Sequence, residues 1–535
     1  MKRSFLVFAL VSSLLFGLFG AGSFAAVKAG AACTKAGATS ISAGKKYTCI
    51  KSGKKLVWNK GVVVKKDQVV ISALPKPEQT PSSPLAQPNL NLENSICTQM
   101  GDTKSNSFGT FECRRVVENK LRFIKIFNNF TKIDNPISPE PLSTCQLPDA
   151  RGTKKEWTSI GYPATPTKAF RNFGVEKIVV VGVDFVDAPG KGKPSDLFKN
   201  DVELASQWIN WYSNSKLKFE FVTSDEWIRA PKTSDNYNVG DHAEQLGTLT
   251  LAEMKNDFVL SIENYVDLSN TTAIWMYFPS DITKLVGKFA QRGSPVFTKK
   301  YGTVIADIYG IGKSNYDSKI QNWTFNVHEM LHAQGIMGHS PRAPWVFSIA
   351  MTDAGPSRGL DPWSQLILGW TNPDQNYCVK VEKLKSVSLT LVPNEREQQG
   401  LNSVMIKMSD TKMLIVESHR AEKWSPGLEK GFYGVMVSSL DMKATPTWGG
   451  EEGFSKYLKV DNANHGLHQP IGIKIPGFPE YQGNYGLVNG YGIANDQIYW
   501  DLNYMMYQGE SITFDGVKIT LVSTGDNDTV LVEKA

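Results

Sequence analysis

The sequence predicts a mixed α/β (α+β) protein: a central α/β domain, a β-sandwich-like domain after it, and a small β-rich module at the N-terminus. Between residues 151 and 376, short β-branched apolar runs alternate with longer stretches of helical spacing. From about residue 377 the texture changes to short strands divided by turn residues. Residues 27–72 form a lysine- and glycine-rich unit, set off by a proline-rich stretch. A chain of 535 residues exceeds one ordinary domain. Its 41% hydrophobic and 21% charged residues are those of a globular protein, not a disordered one.

At the N-terminus, Lys2 and Arg3 precede an apolar run from Phe5 to Phe19, and Gly22, Ser23, Ala25 and Ala26 follow. That order predicts a secretory signal peptide over residues 1–26, and so a secreted, extracellular protein. The run falls short of the ~20 residues of a membrane span, and no second apolar stretch supplies a stable anchor. Within 27–72, Lys46–Ile50 and Lys55–Trp58 look like strands. Residues 73–96 read as an extended proline-rich linker. Residues 97–150 read as a pro-segment or a covering subdomain. The net charge is +6, or +4 without Lys2 and Arg3. Taken as a mild excess spread along the chain, it favours neither nucleic acid nor an anionic membrane as main partner.

Six cysteines, an even number, suit the exported compartment. Local spacing favours Cys33–Cys49 and Cys97–Cys113, which leaves Cys145 for Cys378. A weaker alternative makes Cys145-Gln146-Leu147-Pro148-Asp149 a cysteine switch that caps a metal. None shows the paired spacing of a structural zinc site.

The central domain, 151–376, opens with Lys177–Phe185, a continuous apolar run that reads as a buried strand. Asp196–Tyr212 and Leu246–Val266 read as helices, and Thr272–Phe278 as another buried strand. In 377–535, Val387–Val392, Val404–Met408, Met413–Glu417, Tyr433–Ser438 and Val517–Val522 read as strands, with Asp515-Gly516 as a hairpin turn.

The chemistry concentrates at His328-Glu329-Met330-Leu331-His332. On a helix, His328 and His332 project from one face, close enough to bind one zinc ion through their imidazoles. Glu329 lies beside them, placed to take a proton from water that the metal acidifies. Composition alone would produce this pattern roughly 0.005 times in such a chain, which ranks it far above a chance match. Gly335 can turn the chain out of the helix and return a third ligand to the metal. The metzincin pattern places that ligand three residues after the glycine. Here that position holds Gly338, and the histidine, His339, comes one residue late; Asp353 is the alternative ligand. Ser348-Ile349-Ala350-Met351-Thr352 resembles a methionine turn, with Met351 as the apolar floor under the metal.

The wider context adds a family. The stretches Ile178–Ala188, Trp211–Lys218, Asp361–Trp370, Met413–Arg420 and Tyr433–Val437, together with the zinc motif, resemble secreted peptidases of the immune inhibitor A type. The resemblance covers about residues 150–535. It implies a metzincin-like catalytic domain followed by a β domain, a zymogen leader, bound calcium beside Zn2+, and protein or peptide substrates. The leading expectation is therefore a secreted zinc metalloendopeptidase with Glu329 as general base and His328, His332 and His339 as metal ligands. Gly338 motivates the alternative of a catalytically inactive, peptidase-like surface or binding protein. A third expectation gives the 27–72 module contact with the cell envelope. No nucleic acid is expected.

Overall fold

The computed structural model describes residues 28–63, 92–126, 133–152, 159–313, 322–336, 348–350, 358–425, 433–444, 455–461 and 504–535, apart from 34, 37–38, 43–44, 117–119, 168, 241–244 and 286. The expected signal peptide, most of the linker, and Gly338, His339, Met351 and Asp353 lie outside these residues. The chain divides into two compact units, Met1–Gln87 and Pro88–Ala535. No helix among the described residues is long and apolar enough to cross a membrane.

The first unit is a four-stranded sheet: β1 (Thr39–Ser42), β2 (Lys45–Ser52), β3 (Lys55–Trp58) and β4 (Val62–Val63), with β2 pairing antiparallel to the other three. Side chains alternate across β2. Tyr47 and Cys49 are buried, whereas Ile50 stands 44% exposed on the other face. The Cys33–Cys49 disulfide closes this small core.

The second unit opens with a three-stranded antiparallel sheet, β5 (Thr103–Asn106), β6 (Gly109–Arg115) and β7 (Leu121–Ile126). Its core is Phe111, Phe123 and the Cys97–Cys113 disulfide. A central six-stranded sheet comes next, from β8 (Gly174–Asp184), β9 (Leu217–Thr223), β10 (Ile228–Arg229), β11 (Thr271–Tyr277), β12 (Phe289–Gln291) and β15 (Asp307–Ile311). The hairpin β13 (Val296–Thr298) and β14 (Gly302–Val304) lies between the last two. Strands β9 and β10 pair with β8, then β11, β15 and β12 follow in order; all pairings are parallel except β12 with β15.

Both faces of the sheet are covered at its centre, which is why β8 and β11 read as near-continuous apolar runs. Ile178, Val180, Trp275, Tyr277 and Tyr309 face one core, with α1 (Ser195–Tyr212) and α3 (Asn322–Ala333). Val179, Val181, Ile274, Met276 and Ile308 face the other, with α2 (Leu251–Ile262). Helix α2 begins five residues later than its periodicity suggests. Thr250 and Glu253 form a reciprocal capping box that sets its first turn.

After α4 (Pro362–Ile367) the chain enters two packed sheets. One holds β16 (Asn376–Lys380), β18 (Ser403–Lys407), β19 (Lys412–His419), β20 (Gly434–Asp441), β21 (Ser455–Tyr457) and β22 (Met505–Met506). The other holds β17 (Val387–Leu391), β23 (Ser511–Phe514), β24 (Val517–Ser523) and β25 (Asp528–Lys534). Val404, Leu414, Val416 and Val435 of the first share one core with Leu389, Ile519, Leu521 and Val530 of the second, as a sandwich requires. Asp515 and Gly516 both take positive φ, 45° and 79°, in the β23–β24 turn. Cys145 is bonded to Cys378 of β16, so the cysteine-switch alternative gives way to a disulfide.

Candidate metal centre

Helix α3 is buried over most of its length, with Trp323, Phe325, Val327, Met330 and Leu331 in the core shared with α1. His328 and His332 are themselves 3% and 6% exposed. Polar rings are not buried at such depth without partners, and each ring has one. His328 Nδ1 lies 2.6 Å from the carbonyl oxygen of Ile349, and His332 Nδ1 lies 3.1 Å from that of Ile336.

A carbonyl only accepts, so each Nδ1 carries a hydrogen, which leaves Nε2 as the ring atom that can bind a metal. The two Nε2 atoms face each other at 3.2 Å. Nitrogens at that distance share either a proton or a metal cation. Two imidazole nitrogens bound to one tetrahedral zinc at about 2.0–2.1 Å would stand about 3.3 Å apart. The donor set, its spacing and its backbone-anchored Nδ1 atoms therefore fit a zinc ion.

Both carbonyls are delivered by local chain geometry. Gly335, at φ 100°, ends α3: its N–H reaches His332 O at 3.0 Å, and Ile336 N–H reaches Leu331 O at 3.0 Å. This is the paired closure of a glycine-terminated helix, and it swings the Ile336 carbonyl back over His332. A side chain at Gly335 would meet the Thr165 carbonyl oxygen at 2.5 Å, so glycine is needed for space as well as for φ. The Ile349 carbonyl is held by its own segment. Ile349 N–H bonds to Gly359 O at 2.8 Å, and Ser348 Oγ donates to Asp361 Oδ2 at 2.9 Å. Asp361 in turn caps α4 through Ser364 N–H.

Glu329 points elsewhere. Its Oε2 pairs with Arg292 Nη2 at 2.5 Å, and the same guanidinium nitrogen reaches the Glu329 backbone oxygen at 3.2 Å. Arg292 directly follows β12, the antiparallel edge of the central sheet. Sequence reasoning missed Arg292, because it lies 37 residues from Glu329 and only the fold joins them. Behind it, Asp307 is buried, and desolvation raises its carboxyl above the usual range.

The structure thus brings His328, His332 and the Ser348–Ala350 segment together. Among the described residues, no group of three His, Cys, Asp or Glu side chains stands ready to hold a metal. The third-ligand candidates His339 and Asp353, and Met351, are outside the described residues. His419, the third buried histidine among the described residues, sits far along the chain between carboxylates. Glu395 lies 2.7 Å from its Nδ1 and Glu417 lies 3.5 Å from its Nε2. Although burial alone would lower its pKa, these carboxylates push it up to about 10. No protein-family model matches the chain, and no curated protein matches it.

Proposed function

We propose that the protein is a zinc-dependent endopeptidase acting on extracellular proteins. The observation that carries this reading is the pair of imidazoles whose Nδ1 atoms are tied to backbone carbonyls and whose Nε2 atoms converge at 3.2 Å. Zinc held by His328, His332 and a third ligand, with His339 first and Asp353 second, would acidify water and polarise a carbonyl group.

The remaining work falls to the chain's own residues. Glu329, whose Oε2 is paired with Arg292, would exchange that partner for the attacking water to act as general base and pass the proton to the leaving amine. Strand β12 pairs only with β15 in the described sheet, so an extended peptide can add along its outer edge and arrive beside Glu329.

The test is a metal and activity assay on purified protein. Casein hydrolysis should stop with a chelator and return with zinc. Glu329→Ala should keep its zinc and lose several orders of magnitude in rate. Undiminished hydrolysis by that variant would refute the mechanism. Zinc-free wild-type protein without hydrolysis would instead favour the inactive-relative reading raised by Gly338.

A further inference from the structure

The net charge of the chain conceals an unequal division, and the expectation of an evenly spread excess does not hold. Residues 28–63 contain eight lysines, Lys28, Lys35, Lys45, Lys46, Lys51, Lys54, Lys55 and Lys60, and neither arginine, aspartate nor glutamate. Residues 64–535 carry four more acidic than basic side chains. The positive charge is therefore concentrated in the N-terminal module, ahead of a remainder with a slight acidic excess.

The fold puts this charge outward. The side chains of Lys28, Lys35, Lys45, Lys51, Lys54, Lys55 and Lys60 are exposed. Along β2, Lys45 and Lys51 share a face with the buried Tyr47 and Cys49, one at each end of the strand. Lys55 pairs with Ser52, and so belongs to the opposite face with Ile50. Lys54 lies in the turn between the two strands, and Lys60 lies beyond β3. The cations thus surround the sheet instead of covering one side.

We propose that this module binds a flexible, phosphodiester-linked polymer of the cell envelope and so retains the protein at the surface. A flat membrane could meet only one face of the sheet at a time, whereas a flexible polyanion can follow lysines around both. Nucleic-acid recognition draws on arginine forks and stacked aromatic rings; the module has no arginine, Tyr47 is buried, and Trp58 is only partly accessible. Lysine meets a phosphodiester as a point charge without fixed geometry, which suits a disordered chain. The remainder, 64–535, has no comparable excess of positive charge and so offers the same polymer no similar attraction.

The experiment uses the full secreted chain and soluble poly(glycerol phosphate), with binding followed by calorimetry or ultracentrifugation. Wild-type binding at 50 mM salt should fall roughly 100-fold by 200 mM, as four to six phosphate contacts imply. Replacing Lys45, Lys51, Lys54, Lys55 and Lys60 together by glutamine should weaken it by about 30-fold or more. The matching lysine-to-arginine variant should still bind, which separates loss of charge from loss of fold. No binding by wild type at 50 mM salt, or equal binding by the glutamine variant, would overturn the proposal. Equal or tighter binding to phosphatidylglycerol vesicles, single-stranded DNA or poly(galacturonate) would overturn the phosphodiester assignment and name the competing surface. None of these outcomes depends on peptidase activity.

Discussion

Asp201 stands on the inner face of α1, where its carboxylate accepts a hydrogen bond from Tyr277 Oη at 3.0 Å. Burial pushes its carboxyl up to about 7. In the unfolded chain the same group ionises near 3.8. The unfolded state therefore loses its proton first, and stability declines as the pH rises from about 4 to 7. Asp201→Asn keeps the shape and removes the proton. Relative to wild type, the variant should gain up to about 4 kcal/mol between those pH values, read by denaturant unfolding at pH 4, 5.5 and 7. An unchanged difference across the range would refute the assignment. The proposed zinc ligands also belong to this scale. His339→Ala should lose zinc much as His332→Ala does, while Asp353→Ala should retain it, measured by metal stoichiometry after gel filtration. Normal zinc in His339→Ala would pass the role of third ligand to Asp353.

At the scale of elements, Gly335→Ala should cost about 2–4 kcal/mol, because a left-handed residue acquires a Cβ and that atom meets the Thr165 carbonyl. The same change displaces the Ile336 carbonyl from His332, so zinc affinity should fall with stability; normal affinity at reduced stability would separate the turn from the site. Elements with strong periodicity were legible from residues alone: β8, β11, α1 and the sandwich strands β17, β18, β19, β20 and β24 lie within a few residues of their expected bounds. So was the Asp515-Gly516 turn, whose residue types select its backbone. The first turn of α2 was not, because Leu246 and Leu249 fit the helical spacing while the capping box at Thr250 decides where the helix starts. At the site, the histidine pair and the glycine turn were legible because they depend on side-chain type. The Ile336 and Ile349 carbonyls were not, because every residue has a carbonyl and only folding chooses which one faces a ring. Arg292 stayed hidden for the related reason that its partner is remote in sequence.

For the whole molecule, the segment before the central sheet is fastened to the C-terminal sandwich. Asn94 Nδ2 donates to Ala421 O at 2.5 Å, Arg114 pairs with Glu397 at 3.1 Å, and Lys125 pairs with Asp526 at 2.8 Å. Asn135 exchanges two hydrogen bonds with Thr390, and Ser138 exchanges two with Cys378. The Cys145–Cys378 bridge spans 233 residues. Replacing both cysteines by serine should cost about 5 kcal/mol on the chain-entropy account, measured by denaturant unfolding. A loss under about 1 kcal/mol would show that the noncovalent contacts suffice.

That bridge also changes what a cut in the chain means. Cleavage anywhere between residues 146 and 377 leaves both pieces in one molecule until the disulfide is reduced. A detached fragment is lost by dilution, and its return is a second-order event. A tethered one rebinds at a rate set by its own linkage, however dilute the surroundings. The front of this protein is thus protected against dispersal, and a nicked copy should outlast in function what its reduced electrophoretic pattern would suggest.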